Sequence, residues 1–156
     1  MKILLTIDGS DYNQTVVEEF ASRHFSSGTK IHIVSAIDIS PIVLSIPTPG
    51  GGLGNYYEDV KLVAQNAADK ATKEAAKYLL DKNPALTITT AAIEGTPKTV
   101  ILKEAETFDA DLIVVGSHGH GAVASFLLGS VSQAVALHAN CSVEIVRKKI
   151  MLNHRK

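Results

Sequence analysis

Short apolar segments alternate with helical patterns along almost the whole chain of 156 residues. The segments are rich in β-branched residues, as buried strands are, and they cover residues 2–7, 31–37, 86–93, 112–115 and 142–147. Between them, apolar residues recur at helical spacing over residues 16–24, 56–82, 100–108 and 131–138. Strands that alternate with helices favour a parallel sheet with right-handed crossovers and helices on both faces. The sequence therefore predicts an α/β fold with one parallel sheet of five strands.

Two segments depart from this alternation. Residues 38–55 contain three prolines and four glycines, and a loop of this length in a compact domain is usually functional or mobile. We expect it either to cover a ligand pocket or to be disordered. Residues 148–156, which include three lysines and one arginine, are expected to form a disordered tail, which leaves one domain over residues 1–147.

Composition excludes several classes of protein. Hydrophobic residues make up 46% and charged residues 20%, with a net charge of −1, so no general basic surface indicates a nucleic-acid partner. The single cysteine, Cys141, permits no internal disulfide and fits a reducing compartment. No stretch approaches the roughly 18 continuous apolar residues of a membrane helix. We therefore expect a cytoplasmic protein with no membrane partner.

Residues 111–131 carry the most specific local pattern. An apolar run leads into a glycine-rich turn, and the spacing is Gly116-x2-Gly119-x9-Gly129-Ser130, with a helical pattern beginning directly afterwards. Glycine lets backbone N–H groups approach an anion, and a helix N-terminus adds unpaired donors and a favourable dipole. The turn has neither the Walker P-loop spacing nor the dinucleotide-binding spacing at the first strand. It nevertheless predicts a phosphate site at the end of the fourth strand.

Ligands of open parallel sheets bind outside the carboxyl ends of the strands. Three turns with suitable chemistry follow strand ends, at residues 6–9, 36–38 and 116–121. If strands one and four are neighbours, Asp8 and the glycine turn share one crevice.

The glycine spacing, together with the segments KILLTIDGS, DLIVVGSHGHG, LLGSVSQAV and HANCSVEIV, resembles the universal stress protein superfamily over residues 2–147. The resemblance implies a Rossmann-like, doubly wound sheet of strand order 3-2-1-4-5. It also implies ATP binding in members that keep all three glycines, as this chain does, with ADP or AMP as alternatives and Mg²⁺ as the accompanying ion. It implies a homodimer that pairs the last strand through Ser142, Val143, Ile145 and Val146.

The resemblance also assigns roles to individual residues. N–H groups of the two glycine segments would hold the triphosphate, Asp8 would accept hydrogen bonds from the ribose or adenine, and Thr6, Ala36 and Val115 would form the walls of the base pocket. The assigned nucleotide-binding residues are Thr6, Ile7, Asp8, Ala36, Val115, Gly116, Ser117, His118, Gly119, Gly129, Ser130 and Val131.

Simpler interpretations stand beside these roles. Asp8 lies in a DGSD turn, where aspartate also serves as a turn or cap residue. His118 and His120 lie in a loop with no third ligand evident, which favours solvent exposure over a metal site. Cys141 is expected to be a small core residue. His120 and residues 124–126 replace basic residues common in relatives, so backbone dipoles and a divalent ion would neutralise the phosphates.

No catalytic constellation stands out, and we expect at most slow hydrolysis. The favoured function is that of a dimeric stress-response regulator in which pocket occupancy is the signal. The alternatives are a nucleotide-independent dimeric interaction module and a slow ATPase.

Overall fold

The computed structural model describes residues 1–9, 12–41, 53–117 and 128–147. Most of the predicted irregular loop and the whole of the predicted tail at residues 148–156 lie outside these ranges, so both stay predictions. Five strands form one parallel sheet in the order β3-β2-β1-β4-β5, which confirms the predicted fold. The strands are β1 (Lys2–Ile7), β2 (Lys30–Ile37), β3 (Thr87–Glu94), β4 (Leu112–Gly116) and β5 (Ser142–Val146).

Helices in the described part of the chain include α1 (Tyr12–Ala21), α2 (Leu53–Lys82), α3 (Pro97–Phe108) and α4 (Ser130–His138). Proline suits the first turn of α3, since its missing N–H would have no intrahelical acceptor there and its φ is already helical. The same helix ends at Asp109, whose φ of +55° is left-handed, a conformation that aspartate tolerates better than most residues. No helix in the part of the chain that the structure describes is long and apolar enough to cross a bilayer.

Each face of the sheet has its own apolar core. On the face that α1 and α2 cover, the principal buried side chains are Ile3, Leu5, Ile7, Val16, Phe20, Ile31, Ile33, Leu79 and Val114. On the face that α3 and α4 cover, they are Leu4, Val34, Val100, Ile101, Ile113, Val115 and Val135. Cys141, predicted to be a small core residue, is partly buried and packs against the edge of this second cluster. Because the two faces alternate along β1, every residue from position 3 to position 7 is buried.

The predicted apolar face of α2 is partly wrong. The spacing of apolar residues over 56–82 predicts a buried face that includes Val63 and Tyr78, yet these side chains are 69% and 37% exposed. The residues that are buried include Ala68, Thr72 and Leu79, which recur at intervals of four and seven. The segment is so rich in alanine that size and hydropathy distinguish its faces poorly, and contact with the sheet decides which face is covered.

Candidate functional site

A cavity of about 910 Å³ lies at the carboxyl ends of β1, β2 and β4. Its volume falls within the range of about 300–1,000 Å³ that small-molecule sites occupy. Nine of the sequence-predicted pocket residues line it, namely Thr6, Ile7, Asp8, Ala36, Val115, Gly116, Gly129, Ser130 and Val131. His118 and Gly119, also predicted for the pocket, lie outside the described residues. The sheet topology thus brings together residues that are up to 125 positions apart, from Thr6 to Val131.

The pairing of β1 with β4 places Asp8 on the same cavity as Gly116, the last residue of β4. The backbone N–H of Asp8 donates to Oδ1 of Asn13 at 2.9 Å, so the first turn of α1 holds the backbone at the end of β1. Asn13 itself lines the cavity. The end of β1 is thereby held in place where Asp8 lines the cavity.

The N-terminus of α4 supplies the clearest anion-binding chemistry. Gly129 is the N-cap, in an extended conformation, and the helix begins at Ser130 with no side-chain cap. The N–H groups of Ser130 and Val131 belong to the first helical turn, where no intrahelical acceptor exists. They line the cavity together with the positive end of the helix dipole.

Two of the predicted phosphate donors form hydrogen bonds within the protein. The N–H of Ser117 donates to the carbonyl of Val146 at 2.8 Å, and that of Gly129 donates to the carbonyl of Ser117 at 2.8 Å. Ser117 is fully buried and does not line the cavity. These bonds join the end of β4 to β5 and to the start of α4, a role that spacing alone does not reveal. The Ser117 and Gly129 N–H groups thus have acceptors within the protein, and their phosphate role stays a prediction.

The part of the cavity wall formed by Thr6, Ala36 and Val115 is mostly apolar. The hydroxyl of Thr6 donates to the carbonyl of Val114 at 3.1 Å and is thereby used within the sheet. Ala36 and Val115 add apolar surface to the same cavity. A flat apolar group such as a nucleobase matches walls of this kind.

Sequence reasoning missed the contribution of α2. Ala64, Ala67, Ala68 and Ala71 line the cavity from the helix side. Their spacing of three, four and seven places them on one helical face, and their small size keeps space open between the helix and the sheet. The sequence signal for this wall is a helical stripe made only of alanine, which periodicity alone does not distinguish from an ordinary packing surface.

A polar cluster holds the N-terminal half of α2 against β3. The hydroxyl of Tyr57 donates to Oε1 of Glu94 at 3.1 Å, and Nζ of Lys61 lies 2.7 Å from Oε2 of the same carboxylate. Hydrogen bonds from Lys61 and from Tyr57 lower the pKa of the Glu94 carboxyl below its ordinary value. Nε2 of Gln65 also donates to the carbonyl of Ala92 at 3.1 Å. These contacts fix the position of the alanine stripe above the cavity.

Acidic side chains, Asp8 and Asp38, are the ionisable groups among the described lining residues. Within residues 1–9, 12–41, 53–117 and 128–147, no group of three or more His, Cys, Asp or Glu side chains is placed to hold a metal ion. The arrangement is suited to holding a ligand that has an apolar ring, a polar edge and an anionic group.

Comparison with known proteins gives a consistent result. The model of the universal stress protein family matches residues 1–147. A universal stress protein of Methanocaldococcus jannaschii is 31% identical over 147 residues, covering 94% of this chain and 82% of that protein. One from Thermus aquaticus is 32% identical over 146 residues, covering 93% of this chain and 97% of that protein.

Solved structures share the fold. The universal stress protein UspA of Lactobacillus plantarum has a TM-score of 0.77 at 25% identity, with 94% of this chain and 97% of that chain covered. An Arabidopsis thaliana family member with AMP bound has a TM-score of 0.66 at 18% identity, covering 95% and 92%. An Archaeoglobus fulgidus member in complex with dAMP has a TM-score of 0.60 at 21% identity, covering 93% and 96%.

Proposed function

This chain belongs to the universal stress protein family, and we propose that it binds an adenine nucleotide in the cavity at the carboxyl ends of its strands. The observation that carries the proposal is the joint lining of one cavity by Asp8, Gly116 and Ser130. These residues come from the end of β1, the end of β4 and the start of α4. A carboxylate at the end of β1 suits the hydroxyl groups of a ribose. A glycine at the end of β4 lets the phosphates pass close to the backbone, and a helix N-terminus binds a phosphate.

The geometry suggests an orientation for the ligand. The phosphate lies by the N–H groups of Ser130 and Val131, and the ribose or base edge lies by Asp8. Family members of similar fold that hold AMP and dAMP support an adenine nucleotide as the ligand class. ATP, the ligand that the sequence resemblance implies, and ADP and AMP are the candidates. A Mg²⁺ ion would be held mainly by phosphate oxygens and water, as Mg²⁺ usually is in nucleotide sites.

The wider role that we propose is a cytoplasmic, homodimeric regulator whose pocket occupancy is the signal. β5 is an edge of the sheet, so its outer N–H and C=O groups need a covering partner. Val143 and Ile145 are half-buried and offer apolar surface, together with the exposed Ser142. Val146 is 4% exposed within its own chain, so it would contribute backbone rather than side chain to such an interface.

Thermal unfolding with and without nucleotide tests the binding proposal. A ligand at 100 times its dissociation constant stabilises the folded state by about 2.7 kcal/mol. For a chain of this size, about 2–4 °C per kcal/mol converts this into a rise in Tm of roughly 5–11 °C. ATP, ADP and AMP are compared with and without Mg²⁺, and mass spectrometry of the denatured protein identifies any nucleotide that purifies with it.

Substitution of the glycines locates the site. Gly116→Val and Gly129→Val add a branched side chain at two positions that line the cavity and should abolish the shift, whereas Ala85→Val, in an exposed loop before β3, should retain it. Absence of a shift with every adenine nucleotide would leave the nucleotide-independent interaction module as the better interpretation. ATP turnover that disappears in Asp8→Ala would instead indicate a slow ATPase.

A further inference from the structure

The charge of the cavity does not match its proposed ligand. The described lining residues include the carboxylates Asp8 and Asp38 and no lysine or arginine. The internal segments outside the described ranges, residues 10–11, 42–52 and 118–127, contain no lysine or arginine in the sequence either. A lysine or arginine that assists the helix dipole and a divalent ion in neutralising a phosphate here would therefore have to come from a residue near the edge of the cavity.

The sheet places one such residue at the phosphate end. Val146, the last residue of β5, is the register partner of Gly116, and its carbonyl accepts the N–H of Ser117 at 2.8 Å. The carbonyl of Ser117 in turn accepts the N–H of Gly129 at 2.8 Å. Arg147 follows Val146 directly. The backbone of Arg147 thus lies one residue beyond the carbonyl that accepts the N–H of Ser117, and Ser117 in turn bonds to Gly129, the N-cap of α4.

Arg147 is also available. It is exposed, and no carboxylate in the described part of the chain forms an ion pair with it. By contrast, Lys2, Arg23 and Lys61 are paired with Asp109, Glu144 and Glu94, respectively. Arginine carries a permanent positive charge on a long flexible stem, and its planar group matches the geometry of phosphate oxygens.

We propose that Arg147 supplies the side-chain positive charge for the phosphate of the nucleotide, an inference that rests on the proposed function. From the sequence alone, Arg147 looks like the first residue of a basic terminal segment, and nothing in that segment indicates a binding role. The effect depends on the number of phosphates, because Coulomb attraction grows with ligand charge while contacts to the base do not.

Calorimetric titration with adenosine, AMP and ATP, with EDTA and with Mg²⁺, tests this role in the full chain. Arg147→Gln should weaken ATP binding about tenfold or more, which corresponds to 1.4 kcal/mol, and AMP binding by less. Adenosine binding should change less than about twofold, since the nucleoside has no charge for Arg147 to neutralise. Arg147→Lys should recover part of the ATP affinity. Lys30→Gln is the matched control, because Lys30 is also exposed and forms no ion pair with a carboxylate in the described part of the chain, yet it is the first residue of β2 and so lies at the end of the strand away from the cavity.

The possible outcomes distinguish failure of the role of Arg147 from failure of the proposed nucleotide binding. Wild-type protein that binds none of the three ligands would refute the proposed function itself. Wild-type binding with an unchanged Arg147→Gln variant would refute only the role of Arg147, as would an equal loss for adenosine and ATP. Sedimentation velocity on each variant shows whether the oligomeric state is unchanged, so that a loss of assembly is not mistaken for a loss of phosphate contact.

Discussion

Gly95, in the turn between β3 and α3, combines two constraints that only glycine satisfies. Its φ is +147°, a value that residues with a side chain rarely adopt. A Cβ added at this position would lie 3.0 Å from Cγ2 of Val100, which is 6% exposed and packed in the core. Gly28 is a natural comparison, because its φ is +78° and nothing lies within 4 Å of an added Cβ.

The expected cost of Gly95→Ala follows from these two terms. Backbone strain at positive φ costs about 1–3 kcal/mol, and forcing an extra carbon into a packed core costs about 1–3 kcal/mol. Val100 is β-branched and stiff at χ1, so it yields little. Reduced freedom of the unfolded chain returns about 0.4–1 kcal/mol. We expect a net loss of about 2–4 kcal/mol for Gly95→Ala, against about 1 kcal/mol for Gly28→Ala, where backbone strain acts alone.

Urea denaturation of wild type and the two single variants measures the free energies of unfolding. A double-mutant cycle with Val100→Ala isolates the contact, and the cycle should show that the two substitutions together cost at least about 1 kcal/mol less than their sum. If Gly28→Ala destabilises as much as Gly95→Ala, or if the cycle shows no coupling, the steric part of the reasoning is wrong.

Two further predictions concern the described residues. Thr6→Val removes the buried hydrogen bond to Val114 and should lower the free energy of unfolding by about 1 kcal/mol in urea denaturation; nucleotide affinity should hardly change, and a large loss of affinity would show that the hydroxyl contacts the ligand. Burial, and then the charge of Asp111, raise the pKa of the Cys141 thiol above its ordinary value, so less reactive thiolate is present at pH 8 in the folded protein than in the urea-unfolded chain. Alkylation followed by mass spectrometry should therefore be slower in the folded state. Because the unfolded thiol ionises first, this residue's contribution to stability should decrease as pH rises through the unfolded pKa, and faster alkylation of the folded protein would contradict the assignment.

Local patterns were sufficient for the class of fold and for the edge of the sheet that carries the site. Residues 2–7 and 112–115 are short apolar runs rich in β-branched residues, and such runs are typical of strands in a parallel sheet that is buried on both faces. The glycine turn after β4 and the helix start at Ser130 were likewise recognisable from spacing. The strand order required a resemblance to a family, since alternation alone is compatible with several orders.

Tertiary structure decided which groups are used and which are left for a ligand. The N–H groups of Ser117 and Gly129 donate to the carbonyls of Val146 and Ser117, respectively, and no local sequence pattern predicts these acceptors. The alanine stripe of α2 and the position of Arg147 beside the glycine turn depend in the same way on pairing between distant segments. Periodicity describes a residue's relation to its own helix or strand, whereas hydrogen-bond acceptors and open space arise only where β1, β4, β5 and the helices meet.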